Sequence, residues 1–248
     1  MSFKIYSPSY KRAKICKTHK YIKDVFYVVA ENEAKDYKAI HDKVIIIPNK
    51  IQGNISRVRN YILDNFLNVD EKLIMVDDDF KSIGCFEGNL LKKLNEDEVY
   101  QMIEKGFLLC EDLGAKLWGL NIISDKGSYR EYTPISTNAM ILGPFNGHVM
   151  HDLRYDERIP LKEDYDLSLQ MLNKFRKTLR LNMYHYNSEQ NTIEGGCASY
   201  RSVITEAEQF NLLQKKWGEK IVTRDKKSDK KQKYFDINPV IKSPIKGV

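Results

Sequence analysis

The sequence predicts an α/β fold built around a mostly parallel sheet. Two observations lead to this prediction. Short apolar segments alternate with amphipathic helical segments over the first 113 residues, and this alternation is typical of β-α-β units that form a parallel sheet. The chain of 248 residues, with 42% hydrophobic content, is also long enough to bury a substantial core.

The first half of the chain supplies the alternating elements. The predicted strands are rich in β-branched and aromatic residues, and they cover residues 3–6, 24–30, 44–47 and 72–76. The predicted helices cover residues 31–40, 55–66 and 95–113. The second of these helices carries one apolar stripe, and the third begins at Asn95 with Glu98 three positions later, which is a capping-box pattern.

The second half is more mixed. We expect strands at residues 116–121, 139–142 and 179–186 and helices at residues 162–175 and 201–216. A polar, glycine-containing loop is expected between residues 187 and 200.

Positive charge is concentrated near the C-terminal end. Residues 215–233 hold nine Lys or Arg against three acidic residues, and this excess equals the net charge of +6 of the whole chain. A local basic block suits a polyanionic partner such as nucleic acid, although a solvated lysine-rich segment has the same composition. We expect one main domain over residues 1–214 and a basic extension over residues 215–248. The lysines expected to contact nucleic acid are Lys226, Lys227, Lys230 and Lys231.

The cysteines and the apolar segments indicate a cellular compartment. Cys16, Cys85, Cys110 and Cys197 are scattered and form no CxxC pair, which argues against a zinc site and favours a reduced, intracellular protein. No apolar run approaches the length of a membrane span, and the N-terminal residues lack the apolar segment of a signal peptide. We therefore expect a cytoplasmic protein with no membrane partner, while the oligomeric state stays open.

Three consecutive carboxylates, Asp77, Asp78 and Asp79, follow the predicted strand at residues 72–76. Open α/β sheets bind ligands at the carboxyl ends of their strands. Carboxylates this close repel one another unless a cation or solvent offsets their charge, and Mg²⁺ typically takes one or two carboxylates together with phosphate oxygens. The triplet therefore predicts a metal–nucleotide site, with a solvated acidic turn as the alternative. Asp79 is the expected metal ligand, Asp77 is expected to contact a ribose or a metal-bound water, and Asp78 has either role or neither.

Other residues of the first half are candidates for nucleotide binding. The loop after the first strand begins at Ser7 and contains Arg12, which would pair with phosphate or stack on a base. The chain has neither GxGxxG nor GxxxxGK in this loop, so dinucleotide and P-loop chemistry are disfavoured. Glu31 would accept hydrogen bonds from the nucleotide, or else it is an acid favoured by a helix N-terminus. Arg59 would hold the acidic loop or phosphates, or else its helix is an ordinary amphipathic one.

Two further candidates lie in the second half. Glu163 and Asp164 begin a predicted helix, where acids are favoured by the helix dipole alone. The functional interpretation makes one of them a general base that removes a proton from an attacking hydroxyl. His185 lies in a predicted strand and is either a core histidine or a second metal ligand. Mixed histidine and carboxylate ligation would suit Mn²⁺ better than Mg²⁺.

The order of these features resembles the GT-A class of nucleotide-sugar-dependent glycosyltransferases over about residues 3–200. The resemblance implies a GT-A-like sandwich. It places Asp77 and Asp79 on the DxD positions that bind Mn²⁺ or Mg²⁺ on a sugar-nucleotide diphosphate. It makes Glu163 and Asp164 similar to the xED motif, with Asp164 as the base, and His185 similar to a late metal ligand.

A narrower resemblance is to the glycosyltransferases associated with TET/JBP-type DNA base hydroxylases, many of them from bacteriophages. It is carried by residues 5–13, IYSPSYKRA, by the Arg-Asn helix at residues 57–60 and by MVDDDF at residues 75–80. It implies transfer from a nucleoside-diphosphate sugar, most often a UDP-sugar, to a hydroxymethylated pyrimidine in duplex DNA. Inversion at the anomeric carbon is favoured, and the location is the host cytoplasm if the protein is phage-encoded.

An acceptor base must leave the duplex to be modified, so an aromatic-walled pocket is expected. Trp118 and Tyr129 are candidates for it, with core packing as the stronger alternative for Trp118. Three other functions stay open: a GT-A enzyme acting on protein or polysaccharide, a nucleotidyltransferase, and an inactive nucleic-acid-binding relative.

Overall fold

A computed structural model describes residues 2–88, 90–122, 124–125, 129–188, 196–224, 237–243 and 245. The strands are β1 (Lys4–Pro8), β2 (Val25–Ala30), β3 (Val44–Ile47), β4 (Lys72–Val76), β5 (Phe80–Glu87), β6 (Leu90–Lys93), β7 (Leu117–Asn121), β8 (Ile135–Ser136), β9 (Phe145–Val149), β10 (Leu179–Ser188), β11 (Val222–Arg224) and β12 (Pro239–Ile241). The helices are α1 (Ala34–Lys38), α2 (Ile55–Ile62), α3 (Asn68–Asp70), α4 (Glu96–Leu113), α5 (Glu163–Phe175) and α6 (Val203–Trp217).

One large sheet runs in the order β3-β2-β1-β4-β9-β7-β10-β5-β6, and β8 adds to β10. The strands β3, β2, β1 and β4 are mutually parallel, as the alternation in the first half predicts. β9 is antiparallel to both β4 and β7. β7 and β10 are parallel. β10 is antiparallel to β5, and β5 is antiparallel to β6. The α/β class is thus confirmed, with the parallel part concentrated in the first half.

Both faces of the sheet are covered. Successive residues of β1 and β4 point to opposite faces, so Ile5 and Ile74 belong to one apolar cluster and Tyr6 and Met75 to another. The first cluster packs under α4, and the second packs under α2 and α5. This two-sided burial explains why β4 is a continuous apolar run from Leu73 to Val76.

Local signals account for the helix starts. Asn95 accepts a hydrogen bond from the backbone N–H of Glu98 at 3.0 Å, and the Glu98 carboxylate accepts one from the Asn95 N–H at 2.9 Å, which confirms the capping box. At the start of α2 the Asn54 side chain accepts from the Ser56 N–H at 2.9 Å. Among the described residues, no helix is both long and apolar enough to cross a membrane.

The strand expected at residues 139–142 is wrong, because this apolar run is a loop and the strand begins afterwards at Phe145. The backbone of Ile141 pairs with a side chain instead of a neighbouring strand. Its N–H donates to Ser168 Oγ at 2.9 Å, and the same hydroxyl donates to its carbonyl at 3.1 Å. The Ile141 side chain still enters the core, so the apolar signal reflects burial rather than strand structure.

Other elements differ from the expectation in length. The helix expected at residues 31–40 is a 3₁₀ turn at Glu31–Glu33 followed by the short α1. The helix expected at residues 55–66 is α-helical only to Ile62, and a wider π-type turn covers Leu63–Leu67. The hairpin of β5 and β6 is an addition that the sequence pattern did not predict.

The C-terminal part packs on the main body. α6 continues past residue 214 to Trp217, and β11 pairs with β12. Phe210, Leu213 and Val222 form one apolar cluster with Leu169 of α5. The domain boundary after residue 214 remains a prediction, and the described parts of residues 215–248 share a core with α5.

Candidate active site

A cavity of about 550 Å³ lies at the carboxyl edge of the parallel strands. It is lined by the loop after β1, by the acidic triplet after β4, by the first turns of α2 and α5, and by parts of residues 196–201. Clefts of this size commonly hold small-molecule ligands and cofactors. Its position agrees with the rule that places ligands at this edge of an open sheet.

Asp78 is engaged with the loop after β1. It is 3% exposed, one oxygen accepts a hydrogen bond from Arg12 Nη1 at 2.6 Å, and the other accepts from Ser9 Oγ at 2.5 Å. The Ser9 hydroxyl also contacts the Tyr37 hydroxyl at 2.6 Å. With both oxygens occupied, Asp78 holds Arg12 in the cavity wall.

Arg59 joins the two acidic motifs. Its guanidinium donates from Nη2 to Asp77 Oδ1 at 3.0 Å and from Nη1 to Glu163 Oε1 at 2.8 Å. Arg59 is 4% exposed. Burial opposes its charge, but Asp77 and Glu163 outweigh that effect and raise the pKa of Arg59. One buried cation therefore fixes two carboxylates that are far apart in the sequence, one in the loop after β4 and one at the start of α5.

Asp79 lacks full compensation for its charge. Its side chain is 8% exposed, and it forms a long ion pair with Arg12, whose Nη1 lies 3.6 Å from Asp79 Oδ2. Its Oδ1 atom is buried and has no hydrogen-bond partner in the part of the chain that the structure describes. Burial, followed by the neighbouring Asp77 and Asp78, raises the pKa of Asp79 to about 7. A bound cation would therefore stabilise the ionised form of this carboxylate.

Asp164 faces the cavity from the first turn of α5. Its Oδ2 accepts a hydrogen bond from the Gly143 N–H at 3.1 Å, and its Oδ1 accepts from the Tyr165 N–H at 2.8 Å. Gly143 has a φ of +82°, and an added Cβ would overlap the Tyr186 hydroxyl, so only glycine fits there. Burial raises the pKa of Asp164, and the Gly143 N–H works against that rise.

Three predicted residues do not reach the cavity. Ser7 is fully buried within the sheet, and Glu31 is exposed at the end of β2. His185 packs over Gly84, with its ring centroid 5.0 Å from that of Phe86. The neighbouring Tyr186 lines the cavity instead, as strand alternation requires. Asp79 lines the cavity, and His185 is not among the lining residues.

The candidate acceptor aromatics also lie elsewhere. Trp118 is fully buried and packs edge-on against Phe107 and Phe145, which is the core role expected as the alternative. A Cβ added to Gly106 would lie only 2.6 Å from its ring. Tyr129 stacks on Phe86, with the ring centroids 5.1 Å apart. Lys226, Lys227, Lys230 and Lys231 lie outside the described residues.

The sequence pattern missed the residues that support the acidic triplet from behind. The Lys17 N–H donates to the Asp78 carbonyl at 2.8 Å, and Thr18 Oγ1 donates to the Asp77 carbonyl at 2.6 Å. On the other side, the Asp77 N–H donates to the Pro144 carbonyl at 2.9 Å. These hydrogen bonds join segments that are distant in the sequence, so no local motif predicts them.

A second missed group closes the cavity near α6. Lys162 and Glu206, both at most 2% exposed, form an ion pair at the cavity wall. Arg201 lies 3.2 Å from the same Glu206 carboxylate. Cys197 and Tyr200 line the cavity as well.

Lys216 is one of the basic residues of the 215–233 block. It forms ion pairs with Asp156 and Asp166 at 3.0 Å and 2.8 Å.

Comparisons with known proteins give one family match. The family model described as TET-Associated Glycosyltransferase matches residues 3–197. No curated protein matches the chain. Among solved structures, the crystal structure of S. aureus TarS 1-349 is similar with a TM-score of 0.45 and 14% sequence identity, over 75% of this chain and 59% of that chain. The chain therefore spans less than two thirds of the TarS structure.

Proposed function

The chain belongs to the TET-associated glycosyltransferase family, and on that premise we propose that it transfers a sugar from a nucleoside-diphosphate sugar to a hydroxymethylated pyrimidine in DNA. A UDP-sugar is the proposed donor, with Mn²⁺ or Mg²⁺ as the metal. The observation that carries the proposal is the Arg59 bridge from Asp77 to Glu163. It brings the DxD-like and ED-like motifs to one cavity.

The residues around Asp79 fit a divalent metal. Asp79 has a buried oxygen without a partner among the described residues, and the Asp77 side chain is 33% exposed beside it. These two carboxylates would hold the ion, and phosphate oxygens would complete its ligands. When bound, the metal would offset the negative charge that develops on the leaving diphosphate. His185 is left out of this metal site because it is not among the residues that line the cavity with Asp79.

Two arginines supply fixed positive charge to the donor side. Arg12 is held by Asp78 at 2.6 Å and lines the cavity. An added Cβ at Gly196 would lie 3.1 Å from its guanidinium, so residue 196 covers it closely. A guanidinium fixed in this way pairs with phosphate oxygens at little further entropic cost. Arg59 holds Asp77 in place, and its positive charge also lies at the cavity wall.

Asp164 is the proposed general base. Two backbone N–H groups orient its carboxylate toward the cavity, and its raised pKa makes it a better proton acceptor than an exposed aspartate. It takes the proton from the acceptor hydroxymethyl group. The oxygen then attacks the anomeric carbon while the bond to the diphosphate breaks, so inversion is expected.

The direct test uses duplex DNA that contains 5-hydroxymethylcytosine or 5-hydroxymethyluracil. The protein is incubated with Mn²⁺ and a panel of labelled nucleotide sugars, and modified nucleosides are identified by mass spectrometry. Sugar attached to the hydroxymethyl base would support the proposal. UDP release only with a protein or glycan acceptor would refute the DNA acceptor, and nucleotide transfer with pyrophosphate release would indicate a nucleotidyltransferase.

Asp164→Asn is expected to retain UDP binding and lose transfer. Removal of a general base typically lowers the rate by about 10²- to 10⁴-fold, while the donor side of the cavity is unchanged. Calorimetry should give a UDP affinity close to that of the unchanged protein, and single-turnover transfer should be slow. Asp112→Asn, an exposed change on α4, is the matched control. If Glu163→Gln is slower than Asp164→Asn at equal UDP affinity, Glu163 is the base instead.

Neutralising four lysines of the basic block is expected to weaken DNA binding and reduce its salt dependence. Each lysine that no longer neutralises a phosphate should make the slope of log affinity against log salt shallower by about 0.9. Fluorescence anisotropy at several salt concentrations measures both quantities. The changed residues are Lys226, Lys227, Lys230 and Lys231. Four exposed lysines elsewhere are the control, namely Lys35, Lys38, Lys93 and Lys105. Equal effects of the two sets would assign the block to solubility alone.

A further inference from the structure

A cluster of sulfur and nitrogen atoms lies behind the acidic triplet, outside the lining of the cavity. Cys16 and His19 come from the segment between β1 and β2, and His41 follows α1. Each residue offers one ligand atom, and these atoms all lie within 4.8 Å of one another. Cys16 Sγ is 3.1 Å from His41 Nε2, and the rings of His19 and His41 are 4.7 Å apart.

We propose that Cys16, His19 and His41 form a zinc-binding site that restrains the acidic triplet from the side away from the cavity. The proposal is independent of the glycosyltransferase mechanism, because it uses none of the cavity residues. One thiolate and two imidazoles are the donors that Zn²⁺ selects, whereas Mn²⁺ and Mg²⁺ prefer oxygen.

The spacing of the ligand atoms agrees with a tetrahedral ion. With Zn–S of about 2.3 Å and Zn–N of about 2.0 Å, neighbouring ligand atoms lie about 3.3–3.6 Å apart. The observed 3.1 Å between Cys16 Sγ and His41 Nε2 is close to this value, and all three ligand atoms lie within 4.8 Å of one another. The three ligands leave the fourth position of the tetrahedron for a water.

The surroundings of the cluster restrain its histidines. The Tyr27 hydroxyl lies 2.9 Å from His19 Nδ1, and the His19 N–H donates to the same hydroxyl at 3.1 Å. Cys16 and His41 are 4% and 8% exposed. Such outer hydrogen bonds and burial set ring orientation at metal sites. Burial also raises the pKa of Cys16 to about 11, so zinc binding must release the thiol proton to solvent.

The ligands flank the two residues that support the triplet. Lys17 and Thr18 stand between Cys16 and His19 in the chain, and they bind the carbonyls of Asp78 and Asp77. A metal that links this segment to His41 would therefore restrict motion of the backbone that carries the acidic side chains. The site would act on the position of these carboxylates without contacting any substrate.

The test measures metal in the full-length protein. Purified without chelator, it should contain about one zinc per chain by elemental analysis, and cobalt(II) added to the zinc-free protein should give the near-ultraviolet absorption of a cobalt–thiolate bond. Cys16→Ser should abolish this band. His19→Gln, at a half-buried position, should weaken cobalt binding by more than about tenfold, because one of the three ligands is removed.

Two control variants separate this site from other metal sites. Cys85→Ser changes a buried cysteine outside the cluster and should leave the cobalt band intact. Asp79→Asn changes the proposed carboxylate site and should also leave the band intact. A folded, zinc-free protein that gives no thiolate band with cobalt would overturn the proposal, as would a band that persists undiminished in both Cys16→Ser and His19→Gln.

Discussion

Asp79→Asn is expected to abolish metal-dependent sugar transfer while making the metal-free protein more stable. The variant keeps the size of the side chain and removes a carboxylate whose Oδ1 is buried without a partner among the described residues. Transfer is lost because the neutral amide is a poor ligand for a hard divalent ion. The gain in stability arises because burial, and after it the charges of Asp77 and Asp78, disfavour the ionised carboxylate.

The gain in stability should depend on pH. Burial and the neighbouring acids raise the pKa of Asp79 from 3.8 to about 7 in the folded protein. Its carboxyl therefore ionises more readily in the unfolded chain, and this difference destabilises the fold as pH rises from about 4 to about 7. The full penalty above pH 7 is at most about 4 kcal/mol, and it vanishes below pH 4.

Thermal unfolding with EDTA at pH 4, 6 and 8 measures this effect. The melting temperature of Asp79→Asn should exceed that of the unchanged protein at pH 8 and match it at pH 4. Mn²⁺ should raise the melting temperature of the unchanged protein and have little effect on the variant. Asp112→Asn should follow the unchanged protein throughout. Full transfer activity in Asp79→Asn would refute its assignment as a metal ligand.

Arg59→Met is expected to be the most destabilising single change at the site. It leaves Asp77 and Glu163 without the cation that lies 3.0 Å and 2.8 Å from them. Removing one partner of a buried ion pair typically costs about 3–5 kcal/mol. Urea unfolding should show this loss in the free energy of unfolding, and transfer should fall to background because both motifs lose their mutual position.

Three further variants test whether the bridge is the cause. Arg59→Lys keeps the charge but cannot reach both carboxylates with one planar fork, so it should be intermediate in stability and activity. Adding Glu163→Gln to Arg59→Met should restore part of the stability, since one unpaired charge is removed. Arg57→Met, on the same helix but bonded to the Gln52 carbonyl, should have a small effect. Equal losses from the two methionine variants would argue against the bridge.

The elements whose burial follows a simple period could be predicted from sequence. β4 matches its predicted range because it is a continuous apolar run that is buried on the sheet from Leu73 to Val76. β3 also matches, as a run of four β-branched residues, although only Ile47 among them is buried. The start of α4 could be placed because Asn95 and Glu98 form a reciprocal local cap. The apolar run at residues 139–142 was wrongly predicted to be a strand. The hydroxyl of Ser168, on α5, forms hydrogen bonds with the N–H and carbonyl of Ile141, which therefore need no neighbouring strand. An interaction of this kind between distant residues leaves no periodic trace.

The candidate site divides in the same way. Asp77, Asp79, Glu163 and Asp164 were predicted as a group because short motifs carry them, and all four line one cavity. The pairing of Arg12 with Asp78 could not be derived, since it depends on β1 lying beside β4. The Cys16 cluster was hidden for the same reason. The spacing of the cysteines could not predict this cluster, because the fold brings His41 close to Cys16 and His19.

The position of β9 has a consequence for how the chain folds during synthesis. β9 pairs with β4 on one side and β7 on the other, yet it follows both in the chain. Until the ribosome has released Phe145–Val149, each of these earlier strands has an open edge, and open edges promote association between chains. The loop with Asp77 also lacks its hydrogen bond to the Pro144 carbonyl until then. Nascent chains that end before β9 should therefore need chaperone protection and bind no nucleotide.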